Sequence, residues 1–250
     1  MVAQPIPYLL SKDNRGCCDN ICYSGVADIF RLSKFSLSFF RTQIAEGSML
    51  PSGKMPYEVF IPAYRDEILS DTVMVYGNVD EVELVLNGKT IRRQTADKGP
   101  DSDYIPVPNG GNGKNLHFPP FTFYGVPKER GVLKAVGYHQ GKKVAEYTVK
   151  TPGVPERLDI TYFESGKPAT KNDLLIVYVR MLDKQGVLCP VNGIPVELSV
   201  QGGEIVGPTS YPLEAGVASF LVRTGEISKI NINATGKGFS TRKSLKVGKE

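Results

Sequence analysis

From residue 57 onward the chain alternates apolar and polar positions in short runs with period two. The runs YEVFIPAY (57–64), TVMVYG (72–77) and EVELVLNGK (81–89) read as strands. Asn87-Gly88 sits inside the last pattern, and both residues tolerate positive φ, so a two-residue hairpin turn is expected there. The stretch 92–115 is long, polar and rich in Gly and Pro and reads as an exposed loop. Alternation returns in FTFYGV (121–126) and in GVLKAVGYHQGKKVAEYTVK (131–150), a hairpin that turns at His139–Lys142. TPGVPE (151–156) has no apolar period and is the expected domain boundary. Beyond it RLDITYF, DLLIVYVRMLD, IPVELSVQG, GEIVGP, GVASFLVR and KININATG read as strands, with turns at Lys184-Gln185-Gly186, Gly202-Gly203 and Gly236-Lys237-Gly238. The tail from Thr241 reads as a last strand and a frayed end. Within 157–250, strands every 8–12 residues with turn chemistry between them indicate an antiparallel β-sandwich of immunoglobulin type.

The first fifty residues differ. In SGVADIFRLSKFSLSFFRTQ (24–43) Ser33 is placed to cap a helix carrying Phe35, Leu37, Phe39 and Phe40. A strip this aromatic must be buried against something.

Composition narrows the classes. At 250 residues the chain suggests two domains, and 41% apolar with 22% charged residues is ordinary for a globular protein. No apolar run approaches the length of a membrane helix, and the first residues lack the pattern of a signal peptide. The net charge of +4 comes from dispersed basic residues and gives nucleic-acid binding little support. Cys17, Cys18, Cys22 and Cys189 fit no zinc spacing, His117 and His139 are too few for a histidine-rich centre, and no cofactor is expected.

Few residues carry chemistry. Glu81 and Glu83 share one strand face, with Asp80 beside them, and read as solvated carboxylates. Asp28, flanked by apolar residues, reads as a cap or loop-stabilising group. Asn109–Lys114 lacks the spacing of a phosphate loop, and Asn233-Ala234-Thr235 fits a glycosylation acceptor. Phe118, Phe121, Phe123 and Tyr124 read as core, with a sugar-stacking platform at Tyr104 and Tyr124 as the alternative.

Three blocks resemble the C-terminal part of a glycoside hydrolase family 2 enzyme of the bacterial β-galactosidase type. Gly25, Asp28, Phe30, Arg31 and Lys34 match a motif at the end of that family's catalytic barrel, with Ser33 in place of a proline. YGNVDEVELVLNGKTI (76–91) with 118–158 resembles the immunoglobulin-like domain after the barrel, and 173–207 resembles an invasin-like immunoglobulin fold. The resemblance implies a mainly β chain: residues 1–52 a short helical remnant of a (β/α)8 barrel, and 53–152 and 153–250 two β-sandwiches. It implies no catalytic, cofactor-binding or metal residue here, because the family's two carboxylates lie upstream of the matched block. The chain is then expected to be inactive alone and to support a catalytic barrel domain. A homo-oligomer, a bound glycan and a periplasmic or secreted parent enzyme fit the resemblance; from charge and apolar run length, neither nucleic acid nor membrane is expected as a partner. The competing reading is a standalone carbohydrate- or protein-binding module using the loop 92–117. A third is hydrolysis completed by a barrel on a separate chain.

Overall fold

The computed structural model describes residues 25–63, 70–97, 116–163 and 168–248. They form two compact units, the first of residues 25–28 and Leu32–Thr151, the second of Ile29–Arg31 and the residues from Pro152 onward. The protein is mainly β, with one helix among the described residues.

The first unit opens with helix α1 (Phe35–Thr42). Phe35 and Phe39, four residues apart, share a face. Their rings meet Phe60 edge-on at 5.5 Å and Tyr76 at 4.9 Å. Ser33 does not cap this helix. Its backbone bridges Ala27, and Lys34 occupies the cap position with no side-chain cap bond. At the other end the Gln43 amide accepts from Phe118 N at 3.1 Å and donates to Phe118 O at 3.0 Å. The side chain thus imitates one antiparallel backbone pair.

Strands β1 (Met49–Leu50) and β2 (Gly53–Lys54) make a small ribbon. The sandwich follows. One sheet is β3 (Val59–Phe60), β4 (Val73–Gly77) and β7 (Phe121–Phe123), paired in that order. The other orders β6 (Lys89–Thr95), β5 (Glu81–Leu86), β8 (Val132–His139) and β9 (Lys142–Lys150). All pairings are antiparallel. The inward positions of both sheets, including Val75, Val82, Leu84, Phe121, Phe123 and Leu133, close one core. Each such side chain contributes roughly 1.5–3 kcal/mol on leaving water.

Two expectations are corrected here. Of the strand expected over 57–64, the described residues form a strand at Val59–Phe60; Pro62, two residues on, has no N–H for a ladder. The loop expected from residue 92 begins later, because strand β6 runs to Thr95. KTIRRQT is a polar edge strand, so it lacks the apolar alternation that reveals the others. Asn87 (φ 51°) and Gly88 (φ 81°) form the expected turn, as do Gln140 and Gly141.

Asn78 joins helix and sandwich. It is 3% exposed, accepts from Glu58 N at 2.6 Å, and donates to Ile44 O at 2.9 Å and Pro56 O at 3.0 Å. Replacing Asn78 with Leu keeps the branched shape, at a somewhat larger volume, but removes the partners of three backbone groups. A loss of about 2–4 kcal/mol is expected. Urea denaturation followed by circular dichroism would show it as a lowered midpoint; a change under about 0.5 kcal/mol would show that water replaces the clamp.

The second unit pairs β10 (Pro155–Tyr162), β11 (Leu174–Asp183), β15 (Val217–Thr224) and β13 (Gly203–Ile205) in one sheet. Its second sheet orders β14 (Ser210–Pro212), β12 (Pro195–Gln201), β16 (Lys229–Gly236) and β17 (Phe239–Lys246). Val177, Val179, Met181, Val196, Phe220, Ile230 and Ile232 fill the space between. Strand β15 alternates buried and half-buried positions over most of its length, as a strand with one core face should. Lys237 (φ 50°) and Gly238 (φ 80°) turn the last hairpin.

Candidate functional site

Among the described residues, a dense polar constellation lies on the outward face of the β6-β5-β8-β9 sheet. Glu81 and Glu83 project from alternate positions of β5, and register sets Glu83 opposite Arg93 on β6 and Glu81 opposite Tyr138 on β8. Arg93 reaches Glu81 at 2.5 Å, and its guanidinium carbon lies 3.7 Å from the centre of the Tyr138 ring. Glu83 accepts from Thr90 Oγ1 at 2.6 Å and from Tyr138 Oη at 2.7 Å. Those bonds, Thr90's first, hold the Glu83 carboxyl below its ordinary pKa, and the same contact pushes the Tyr138 hydroxyl up. Asp80 accepts from Gln140 N at 2.8 Å and meets His139 Nδ1 at 3.1 Å. The Gln140 amide does most to keep Asp80 ionised. Tyr57 stacks on His139 at 4.9 Å between ring centres.

This arrangement suits acceptors, not proton donors. A glycosidic general acid needs a raised pKa. Among the described residues, every carboxyl group with a displaced pKa is displaced downward: Asp80, Glu83, Glu146, Asp183 and Glu226. Glu81 and Glu83 are half-buried members of a cross-strand ladder rather than freely solvated groups. Farther along the face a shallow depression is lined by Val85, Val132, Val136, Lys134, Lys143 and Glu146. Glu146 holds Lys143 at 2.7 Å and Lys134 at 3.6 Å.

The block matched to the barrel end is a tight loop. Asp28 Oδ1 accepts from Leu32 N at 2.8 Å, and Lys34 N donates to Val26 O at 2.9 Å. Asp28 therefore stabilises a loop in which Arg31 stands at φ 63°. Beyond it, Arg41 Nε donates to Glu58 at 3.0 Å, while Phe40 is 55% exposed on the helix face turned from the sandwich.

Phe121 and Phe123 belong to the core, whereas Tyr124 is 44% exposed. Tyr104, Asn109–Lys114, Cys17, Cys18 and Cys22 lie outside the described residues. Cys189 is buried; burial first, and then the Asp183 charge, push its thiol up and make it unreactive. Among the described residues no cluster of His, Cys, Asp and Glu could hold a metal, and no helix is long and apolar enough to cross a membrane.

The sequence reading missed Gln43, Asn78 and Asp183. Asp183 was legible in principle, since Asp-Lys-Gln-Gly is a turn signature whose first side chain bonds the following amides. Nothing local marks Gln43, whose partner Phe118 is 75 residues away.

Comparison with known proteins places the chain. A family profile described as a domain of unknown function, DUF4982, matches residues 70–145. A β-galactosidase of Thermoanaerobacter pseudethanolicus is 32% identical over 221 residues, covering 84% of this chain and 28% of that protein. A β-galactosidase sequence from Rhizobium radiobacter is 30% identical over 129 residues, covering 51% of this chain and 92% of that sequence. In fold, a β-glucuronidase of glycoside hydrolase family 2 matches 91% of this chain with a TM-score of 0.72 at 21% identity, using 23% of its own length. The chain belongs to the β-galactosidase type of glycoside hydrolase family 2. It spans 28% of the length of the Thermoanaerobacter relative. A standalone binding module is not favoured by these matches.

Proposed function

We propose that this chain is a non-catalytic region of a family 2 β-galactosidase-type glycosidase that supports the catalytic barrel. In this reading residues 1–52 belong to the end of the barrel, and 53–152 and 153–250 are two immunoglobulin-like domains. The catalytic carboxylates come from elsewhere in the enzyme. A retaining glycosidase needs two of them about 5–5.5 Å apart, one rising in pKa to act as acid. The observation that carries the reading is helix α1. Phe35 and Phe39 anchor it on the sandwich, while Phe40 stays more than half exposed beside them. An outward aromatic on the helix that follows the barrel-like loop in sequence supports a surface made to be covered. The same exposed face favours self-association when the barrel is absent.

The test mixes the full chain with a barrel-containing piece of a family enzyme that lacks this region. The chain alone should not hydrolyse an aryl β-galactoside. Adding it should raise the thermal midpoint and activity of the barrel piece, and Phe40→Glu should remove the gain while leaving the chain folded. Hydrolysis by the chain alone, or support of the barrel unaffected by Phe40→Glu, would overturn the proposal.

A further inference from the structure

The outward face of the β14-β12-β16-β17 sheet has a one-signed charge distribution along β16 and β17. From Ile227 to Gly248 the chain carries Lys229, Lys237, Arg242, Lys243 and Lys246 and no acidic residue. Register sets Lys229 directly opposite Lys246. Like charges so placed repel and weaken a hairpin. Among the described residues no carboxylate lies within ion-pair range of Lys229, Lys237, Arg242 or Lys246. Lys229, Arg242 and Lys246 are exposed. Lys243 turns the other way and lies 5.7 Å from the Tyr162 ring.

Between the cations the face is a grid of amides and hydroxyls. Gln201, Asn231 and Ser244 form one row across three strands, and Ser199, Asn233 and Arg242 the next. Thr235 and Ser240 continue it beside Glu197, the acid on this face among the described strand residues. Ser244 Oγ donates to Asn231 Oδ1 at 2.7 Å. Arg242 and Lys246 stand four residues apart on one strand, a separation of about 13 Å along its axis. No aromatic ring occupies the outward positions of β16 and β17, so the face has no platform for stacking bases.

We propose that this face binds an acidic polysaccharide, a linear polymer of carboxylated or sulfated sugars lying along β17. Arg242, Lys229 and Lys246 receive its charges, and the Asn, Gln and Ser rows exchange hydrogen bonds with its hydroxyls. Charge complementarity selects the polymer, and the length of the exposed β17 row accommodates it. The inference is independent of the accessory role proposed above, since it concerns other residues and needs no catalytic domain.

The experiment is affinity electrophoresis of the full chain through gels holding polygalacturonate, chondroitin sulfate or neutral dextran at low salt, with duplex DNA as a competitor in solution. The acidic polymers should retard the chain, dextran should not, and added salt should release it. The triple variant Lys229→Ser, Arg242→Ser, Lys246→Ser should weaken retardation about tenfold or more. Lys184→Ser should leave it unchanged, and an unaltered circular dichroism melt would show the triple variant folded. Absence of retardation, equal retardation of the triple variant, or displacement by duplex DNA as effective as by free polymer would overturn the proposal. The lysines would then serve to keep edge strand β17 from pairing with other chains.

Discussion

Replacing Gly216 with alanine is expected to unfold the second unit under conditions where the wild-type chain is stable, with a loss of about 3–5 kcal/mol. Ala215 (φ 47°) and Gly216 (φ 82°) form the two-residue turn that leads into β15, closed by Glu214 N to Val217 O at 2.9 Å and Val217 N to Glu214 O at 3.0 Å. Both central residues have positive φ, the geometry that matches the twist of a hairpin. A Cβ at Gly216 would sit 2.1 Å from the carbonyl oxygen of Cys189. That oxygen belongs to backbone that cannot retreat, because Cys189 N donates to Met181 O at 2.9 Å and Met181 N donates to Gly216 O at 2.8 Å. Gly216 N in turn donates to Val191 O at 2.8 Å. The side chain would force apart a turn held on three sides.

Gly238→Ala separates strain from collision. Gly238 has nearly the same φ, 80°, but nothing lies within 4 Å of its Cβ position. That variant should lose only the conformational cost, about 1 kcal/mol. Urea denaturation of both variants decides the matter. If Gly216→Ala loses no more than Gly238→Ala, the close approach to Cys189 is not rigid.

These turns show what the sequence made legible. Asn87-Gly88, Gln140-Gly141 and Lys237-Gly238 announce themselves because residues that tolerate positive φ sit between alternating runs. Strands β5, β11 and β15 are readable for the same reason, each burying alternate apolar residues against a core. Strand β14, Ser210–Pro212, has three exposed positions and leaves no apolar trace. Ser33 misled because the helix starts at Phe35, so Lys34 takes the cap position and Ser33 falls one residue before it, bridged to Ala27. The ladder around Glu83 was half visible. Glu81 and Glu83 on one face follow from period two, but Tyr138 is 55 residues away and enters only through the β5–β8 register. Cross-strand partners of this kind are fixed by pairing, which local pattern does not encode.

Asp183 closes β11, and its replacement by asparagine should weaken the second unit by about 2–3 kcal/mol at neutral pH. The carboxylate is 2% exposed. It accepts from Gly153 N at 2.7 Å, Gln185 N at 2.9 Å and Val187 N at 2.8 Å. One side chain therefore shapes the turn after β11 and fixes the chain just before β10. Burial works against its charge, yet the amides of Gly153, Val187, Gln185 and Gly186 outweigh burial, and the pKa falls below its ordinary value. Asparagine keeps one acceptor for the turn but aims an amide N–H₂ at Gly153 N, donor against donor. The pH dependence follows from the direction of the shift. A depressed pKa adds stability that is complete above the unfolded value of about 3.9 and disappears as pH falls through the lower folded value. The gap between wild type and Asp183→Asn should thus be constant from about pH 7 to pH 5 and narrow below about pH 4, as protonation turns the wild-type group into a near copy of the variant. Urea midpoints of both proteins across that range measure the gap. A gap that stays the same at pH 3 would mean that the shape of Asp183, not its charge, holds the amides.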